Sequence, residues 1–237
     1  MTWIGIFDYG AGNLHSLLKA IQGDGRSISV DTDIRSALEA DILILPGVGA
    51  FGSAVEAMHG AQGYVRDALA DGKPCLGICL GMQMLFDESE EASKLAPGIG
   101  LIPGRVTRLH TSKVPHMGWN EIEWDAGSGK REAGSGNRKA NGSKAGSEAR
   151  EAIGGTPVVF SFVSPQSNLD SAYFANAYVC QPEDGSKVLA WTTHQDARFA
   201  SVVRTANTVG VQFHPEKSSV AGRSFVNGVI DQLLQCK

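Results

Sequence analysis

Short apolar runs that stop at turn residues alternate with stretches of helical periodicity through the first half of the chain, and this alternation narrows the available folds more than any other feature. Residues 4–7, 27–30, 41–45 and 74–78 read as strands, the third ending at Pro46-Gly47. Between them, Leu14, Leu17, Leu18 and Ile21 recur at helical spacing, with Asn13 placed to cap that helix. Residues 34–38 form a short helical pattern, residues 55–69 an amphipathic one, and a helix begins over residues 82–86. Strands and helices in this order predict an α/β fold: a mainly parallel or mixed central sheet with helices on both faces.

The second half carries strand-like pieces at residues 99–109, 120–124, 157–163, 173–180, 188–193, 200–205 and 209–213. Which of them extend the main sheet stays open at this level. Residues 218–234 close the chain as a helix with Val220, Phe225, Val229, Ile230 and Leu233 on one side. Residues 126–155 are almost devoid of apolar side chains and rich in Gly, Ser, Lys and Arg. Such a segment buries too little surface to offset its ordering entropy, so it is expected to be a disordered surface insertion in one domain spanning residues 1–237.

The chain has 237 residues, 42% of them hydrophobic, and a net charge of −4. That is ample for a packed core. The mild acidity argues against nucleic acid as a partner, and no apolar run approaches the ~20 residues that span a bilayer. The start, from Met1 to Asp8, lacks a cationic flank and reads as a strand rather than a signal peptide. The 4 cysteines, Cys75, Cys79, Cys180 and Cys236, fit neither a disulfide framework nor paired zinc knuckles, so a reducing cytoplasm is the expected location.

Chemistry concentrates in a few motifs. Gly77-Ile78-Cys79-Leu80-Gly81 follows an apolar strand and precedes a helix. That is a nucleophile elbow with cysteine in the nucleophile's place, at a helix N-terminus that favours thiolate. Alone, the pattern also fits a buried cysteine in a Gly-rich turn. A thiol nucleophile needs a base and an orienting group, and His214-Pro215-Glu216 supplies both after a strand. Alone, it too fits an ordinary surface turn. The other histidines, His15, His59, His110, His116 and His194, lack such a setting. Pro46-Gly47-Val48-Gly49-Ala50-Phe51-Gly52 is a Gly-rich strand end whose main-chain N–H groups suit an oxyanion, as does the N–H of Leu80. A phosphate loop is the competing reading, but neither dinucleotide nor P-loop spacing is present. Val48 lies between two glycines, so its peptide is free to turn.

Together these motifs, in the chain order Cys, His, Glu, resemble the class I (triad) glutamine amidotransferases, with a flavodoxin-like fold. Asp8-Tyr9-Gly10-Ala11-Gly12-Asn13-Leu14 and Val114-Pro115-His116-Met117-Gly118-Trp119-Asn120 resemble, more narrowly, the glutaminase subunits of imidazole glycerol phosphate synthases. The resemblance covers the chain outside residues 126–155. It implies that Cys79 attacks the glutamine carboxamide, His214 moves protons and Glu216 orients His214. It places Val48, Gly49 and Leu80 at the oxyanion hole, and Gly47, Gln83, Ala177 and Tyr178 against glutamine. Asn13, His116, Trp119 and Lys217 would face a cyclase subunit, which receives the ammonia and makes imidazole glycerol phosphate and aminoimidazole carboxamide ribonucleotide. No cofactor and no metal are implied, and the partners are glutamine and the cyclase, with no nucleic acid and no membrane. Read from the residues alone, Trp119 beside Gly118 is equally a core aromatic.

One stretch departs from the family. Where a His-Ser/Thr-Tyr triplet is usual, this chain has Asn176-Ala177-Tyr178. Two other readings stay open: a glutaminase serving a different synthase, and a catalytically weak regulatory subunit. The chain ends soon after its closing helix, so the synthase is expected in a separate chain.

Overall fold

The structure is a computed structural model and describes residues 1–10, 14–91, 95–125 and 169–235. The apolar runs of the first half form β1 (Thr2–Phe7), β2 (Arg26–Asp31), β3 (Ile42–Leu45) and β4 (Cys75–Ile78). They alternate with α1 (His15–Ile21), α2 (Ile34–Glu39), α3 (Phe51–Glu56), α4 (Gln62–Ala70) and α5 (Leu80–Met84). Then follow β5 (Phe86–Ser89), β6 (Ala96–Pro97), β7 (Ile102–Arg108), β8 (His116–Glu121) and β9 (Glu123–Trp124). After the undescribed stretch come β10 (Ser171–Asn176), β11 (Tyr178–Pro182), β12 (Val188–His194), β13 (Ala197–Thr205), β14 (Thr208–Val211) and the closing α6 (Ser219–Gln235).

The main sheet is 8-stranded, in the order β2-β1-β3-β4-β14-β13-β12-β9. From β2 to β14 all neighbours are parallel, and the remaining pairs are antiparallel. The order 2-1-3-4 followed by β14 is the doubly wound arrangement, in which ligands bind at the carboxyl ends of the strands. Period-two alternation sends successive side chains to opposite faces. Ile42, Ile44, Leu76, Ile78, Val209 and Val211 join Leu17, Ile21, Val226, Val229 and Ile230 in the core under α1 and α6. Leu43 and Leu45 join Ala37, Phe51, Val65, Leu69 and Met82 in the core under α2 to α5. Both faces are therefore covered, as the unbroken apolar runs require. Two smaller sheets complete the fold, β10-β8 and β11-β7-β5-β6. Among the described residues no helix is long and apolar enough to cross a membrane.

Several local expectations need correction. The amphipathic stretch 55–69 is two helices, because His59 (φ 48°) and Gly60 (φ 79°) turn left-handed between α3 and α4. The helix expected over 82–86 starts earlier, at Leu80, and stops at Met84; Phe86 instead opens β5. Residues 173–180 are not one strand. The chain leaves β10 at Asn176 and enters a different sheet at Tyr178. Val220 is 66% exposed, and the buried stripe of α6 runs instead through Gly222, Phe225, Val226, Val229, Ile230 and Leu233. The N-cap of α1 is Leu14, without a side-chain cap. Asn13, Cys236, the insertion at 126–155 and the strand expected at 157–163 lie outside the described residues.

Candidate active site

Four neighbouring strands, β1, β3, β4 and β14, end on one side of the sheet, and the chemistry-bearing residues follow their last positions. After β4 comes Cys79 at φ 47°, ψ −102°, immediately before α5. A non-glycine residue held there stores roughly 1–3 kcal/mol of strain, a cost that neighbouring contacts must hold in place. The Cys79 N–H donates to Val211 O at 2.6 Å, which ties the elbow to β14. Its flanking glycines are set by close packing: a Cβ on Gly77 would stand 2.6 Å from Gly81 O, and one on Gly81 2.0 Å from Leu45 O. α5 has only 5 residues, so its dipole contributes less to a thiolate than a long helix would.

The base stands on the next strand. His214 N–H donates to Tyr173 O at 2.8 Å, and the His214 carbonyl accepts from Ser218 Oγ at 2.6 Å. Those bonds pin the His-Pro-Glu turn from both ends. Pro215–Lys217 then form a single 3-10 turn that returns Glu216 to the imidazole, with Glu216 Oε1 2.8 Å from His214 Nδ1. The Cys79 sulfur also acts on this imidazole and raises its pKa. Burial lowers the His214 pKa, but the Cys79 sulfur and the Glu216 carboxylate outweigh it and lift the group to about 10. The arrangement favours a protonated imidazole beside the Cys79 sulfur and the Glu216 carboxylate.

Gly47 leaves the nucleophile and base room to meet: a Cβ there would lie 3.0 Å from both Cys79 Cβ and His214 Cε1. Gly49 adopts φ 110°, a conformation that side chains disfavour. Behind this loop is Tyr9, buried and packed edge-on against Phe7. Its hydroxyl donates to the Pro46 carbonyl, and the nearby Val48 main-chain amide opposes the rise in the phenol's pKa. Burial, with the nearby Cys79 sulfur, pushes the Tyr9 phenol far up, so it stays a neutral donor.

A cleft of about 150 Å³ opens over the sulfur. Gly47, Gly49, Cys79, Leu80 and Gln83 form one wall, and Ala175, Asn176, Ala177 and Tyr178 the other, where the chain passes from β10 to β11. Glu91 stands at the edge; its Oε2 accepts from Phe51 N–H at 3.1 Å, and burial raises its pKa. Gln83 Nε2 donates to Tyr178 O at 3.1 Å and to Gln212 Oε1 at 3.3 Å, and Gln212 Nε2 reaches Cys79 Sγ at 3.5 Å. Asn176 Nδ2 donates to Tyr178 O at 3.1 Å, while its buried Oδ1 has no partner.

The structure thus gathers Gly47, Gly49, Cys79, Leu80, Gln83, Ala177, Tyr178, His214 and Glu216 at one site, with Val48 in the adjoining loop. Sequence reasoning missed Tyr9, Glu91 and Gln212 as members of it. Gln212 had one legible signal, a polar residue between apolar Val211 and Phe213; Glu91, in an acidic run, had none.

The expected partner-facing residues divide. Trp119 is 55% exposed and Met117 64%, both on β8, and Lys217 is exposed at the end of the His-Pro-Glu turn. Trp119 is therefore not a core aromatic. His116 is buried, its ring stacked between Phe174 and His194 at centroid distances of 4.9 Å and 4.0 Å. Burial and His194 together hold it near a pKa of about 4. The expectation of a surface position for His116 needs correction: its neutral ring is enclosed on the buried face of β8. Among the described residues there is no cluster of His, Cys, Asp or Glu suited to a metal ion.

The family profile described as glutamine amidotransferase class-I matches residues 6–228. A curated relative from Halalkalibacterium halodurans, imidazole glycerol phosphate synthase subunit HisH, is 38% identical over 94% of this chain and 92% of its own. The protein of the same name from Gloeothece citriformis is 34% identical over 98% of this chain and 97% of its own. Among solved structures, PurLQS from Thermotoga maritima aligns with a TM-score of 0.61 over 98% of this chain and 100% of that one. At 15% identity, that likeness speaks to the fold alone.

Proposed function

The chain belongs to the class I glutamine amidotransferases, and from that membership we propose that it is the glutaminase subunit of an imidazole glycerol phosphate synthase. It hydrolyses glutamine to glutamate and ammonia. The observation that carries the mechanism is the convergence of Cys79, His214 and Glu216 at the carboxyl ends of β4 and β14, under a cleft sized for a small amino acid.

In this reading the Cys79 sulfur adds to the carboxamide carbon of glutamine. The resulting oxyanion is held by the Leu80 N–H and by a peptide of the Gly47-Val48-Gly49 loop. His214, cationic beside the sulfur and Glu216, gives its proton to the departing nitrogen, so ammonia leaves and a thioester remains. The now neutral imidazole takes a proton from water as it attacks the thioester; glutamate departs and the sulfur–imidazolium pair is restored. Gln83 and Tyr178 shape the wall against glutamine. The Glu91 carboxylate is suited to the substrate ammonium.

The relatives are named as synthase subunits, which supports a separate cyclase as consumer of the ammonia. Free ammonia protonates in water and loses its nucleophilicity, so a water-excluding contact between subunits preserves it. The exposed Trp119 and Lys217 are the residues proposed for that contact, in one domain working in the cytoplasm. The test is glutamine hydrolysis by the chain alone, with cyclase, and with cyclase plus its nucleotide substrate. Imidazole glycerol phosphate formed from glutamine only when both chains are present supports the reading. Hydrolysis without cyclase-dependent synthesis would direct the ammonia to another acceptor.

A further inference from the structure

We propose that Gln212 is a catalytic residue that donates an N–H to the Cys79 sulfur, and that Gln83 holds it in that orientation. The proposal rests on the reading of Cys79 as nucleophile and adds a second donor to it besides the histidine.

The orientation follows from a chain of bonds whose polarity has one consistent direction. A main-chain carbonyl can only accept, so Tyr178 O, 3.1 Å from Gln83, fixes the end of Gln83 that faces it as the NH2. The same nitrogen lies 3.3 Å from Gln212, which must therefore present its oxygen. The other end of Gln212 is then its NH2, and that end lies 3.5 Å from Cys79 Sγ, within range for a sulfur acceptor. Nothing in this sequence of assignments depends on the state of the sulfur.

Gln212 is fully buried, and its backbone N–H is fixed to Ser201 O at 2.9 Å. A buried NH2 group aimed at a neutral thiol gains little, because the thiol is a weak acceptor; aimed at a thiolate it makes a charge-assisted bond. Gln212 also differs from His214 in kind. His214 loses its proton to the leaving nitrogen during the reaction, whereas an amide has no proton to transfer. Gln212 can therefore keep the sulfur solvated when His214 has become neutral, and again when the sulfur leaves from the thioester.

The test uses the full chain and iodoacetamide, with the alkylated cysteine mapped by mass spectrometry and the rate at Cys79 followed against pH. Gln212→Met keeps the volume and removes the donor. One charge-assisted bond corresponds to about one pH unit, so its profile should move up by about that much, with alkylation below the midpoint slowed about tenfold. Gln83→Met leaves Gln212 in place but unoriented and should move the profile the same way by a smaller amount. Unaltered profiles in folded Q212M overturn the proposal; if Q212M does not fold, an unaltered profile in Q83M does so. Alkylation requires neither glutamine nor cyclase. A failure of the unsubstituted chain, with cyclase present, to hydrolyse glutamine while the Q212M alkylation profile is shifted would therefore count against the glutaminase reading and not against this donor.

Discussion

The Tyr9 hydroxyl donates to the Pro46 carbonyl, tying the end of β1 to the first residue of the loop that follows β3. The Val48 amide, one of the donors expected to meet the oxyanion, lies near its oxygen. A bond between the two would spend the Val48 N–H on Tyr9 instead of the cleft. We expect such a bond to latch the Val48 peptide against turning. Tyr9→Phe removes it while leaving the ring against Phe7. One oxyanion donor is worth about a hundredfold to a thousandfold in turnover. Hydrolysis by the chain without cyclase should therefore rise at least several-fold in Y9F. An unchanged or lower rate, at an unchanged melting temperature, would remove Tyr9 from the account and leave gating to the assembled interface.

The Asn176 Oδ1 is buried without a protein partner beside the cleft. That oxygen is suited to accept from bound glutamine, which would satisfy both. Asn176→Ala should raise the KM for glutamine about fivefold to tenfold, the worth of roughly one hydrogen bond, with kcat altered much less. An equal fall in kcat with unchanged KM would mean that Asn176 acts on the chemistry and not on binding.

Glu91 offers the cleft a carboxylate at its edge. Glu91→Gln should raise the KM for glutamine by about tenfold to a hundredfold, the range for a hydrogen bond to a charged group. In the unsubstituted chain, burial raises the Glu91 pKa, so affinity should begin to fall on acidification earlier than an ordinary carboxylate would allow. Steady-state kinetics across the acidic range check both, and a KM unmoved by the substitution would place the ammonium elsewhere.

The α/β class and the parallel run of strands were legible because strands covered on both faces must be apolar throughout, as residues 42–45 and 75–78 are. The elbow was legible for a related reason. Gly77 and Gly81 stand where a Cβ would meet backbone, so packing wrote itself into residue type. The break at Ala177 was not legible. Residues 171–182 are all compatible with extended chain, and only the separate pairing of β10 with β8 and β11 with β7 divides them. His116 was misplaced because an exposed loop motif and a buried strand residue share one local sequence; the stacking on Phe174 and His194 joins residues far apart in the chain. Gln212 and Tyr9 belong to the site through bonds across strands, which no local pattern encodes.

The His214 titration fixes a pH dependence. Burial lowers its pKa, but Cys79 and Glu216 raise the folded-state value from 6.5 to about 10. A raised value means that the folded state binds the proton more tightly. The associated stability is fully present below about 6.5 and is lost as pH rises through about 10. Glu216→Gln removes one of the raising partners, so its melting temperature should vary less across this window than that of the unsubstituted chain. Parallel curves for the two would show that Glu216 does not hold the imidazolium.

The most direct test of the account is covalent: a diazo-ketone analogue of glutamine is allowed to react, and the labelled residue is mapped by mass spectrometry. The account predicts label on Cys79 alone, prevented by excess glutamine. Cys79→Ser should abolish both labelling and glutamine-dependent synthesis, while synthesis from added ammonia by the cyclase continues. Label on Cys75, Cys180 or Cys236, or glutamine hydrolysis that survives Cys79→Ser, would contradict it.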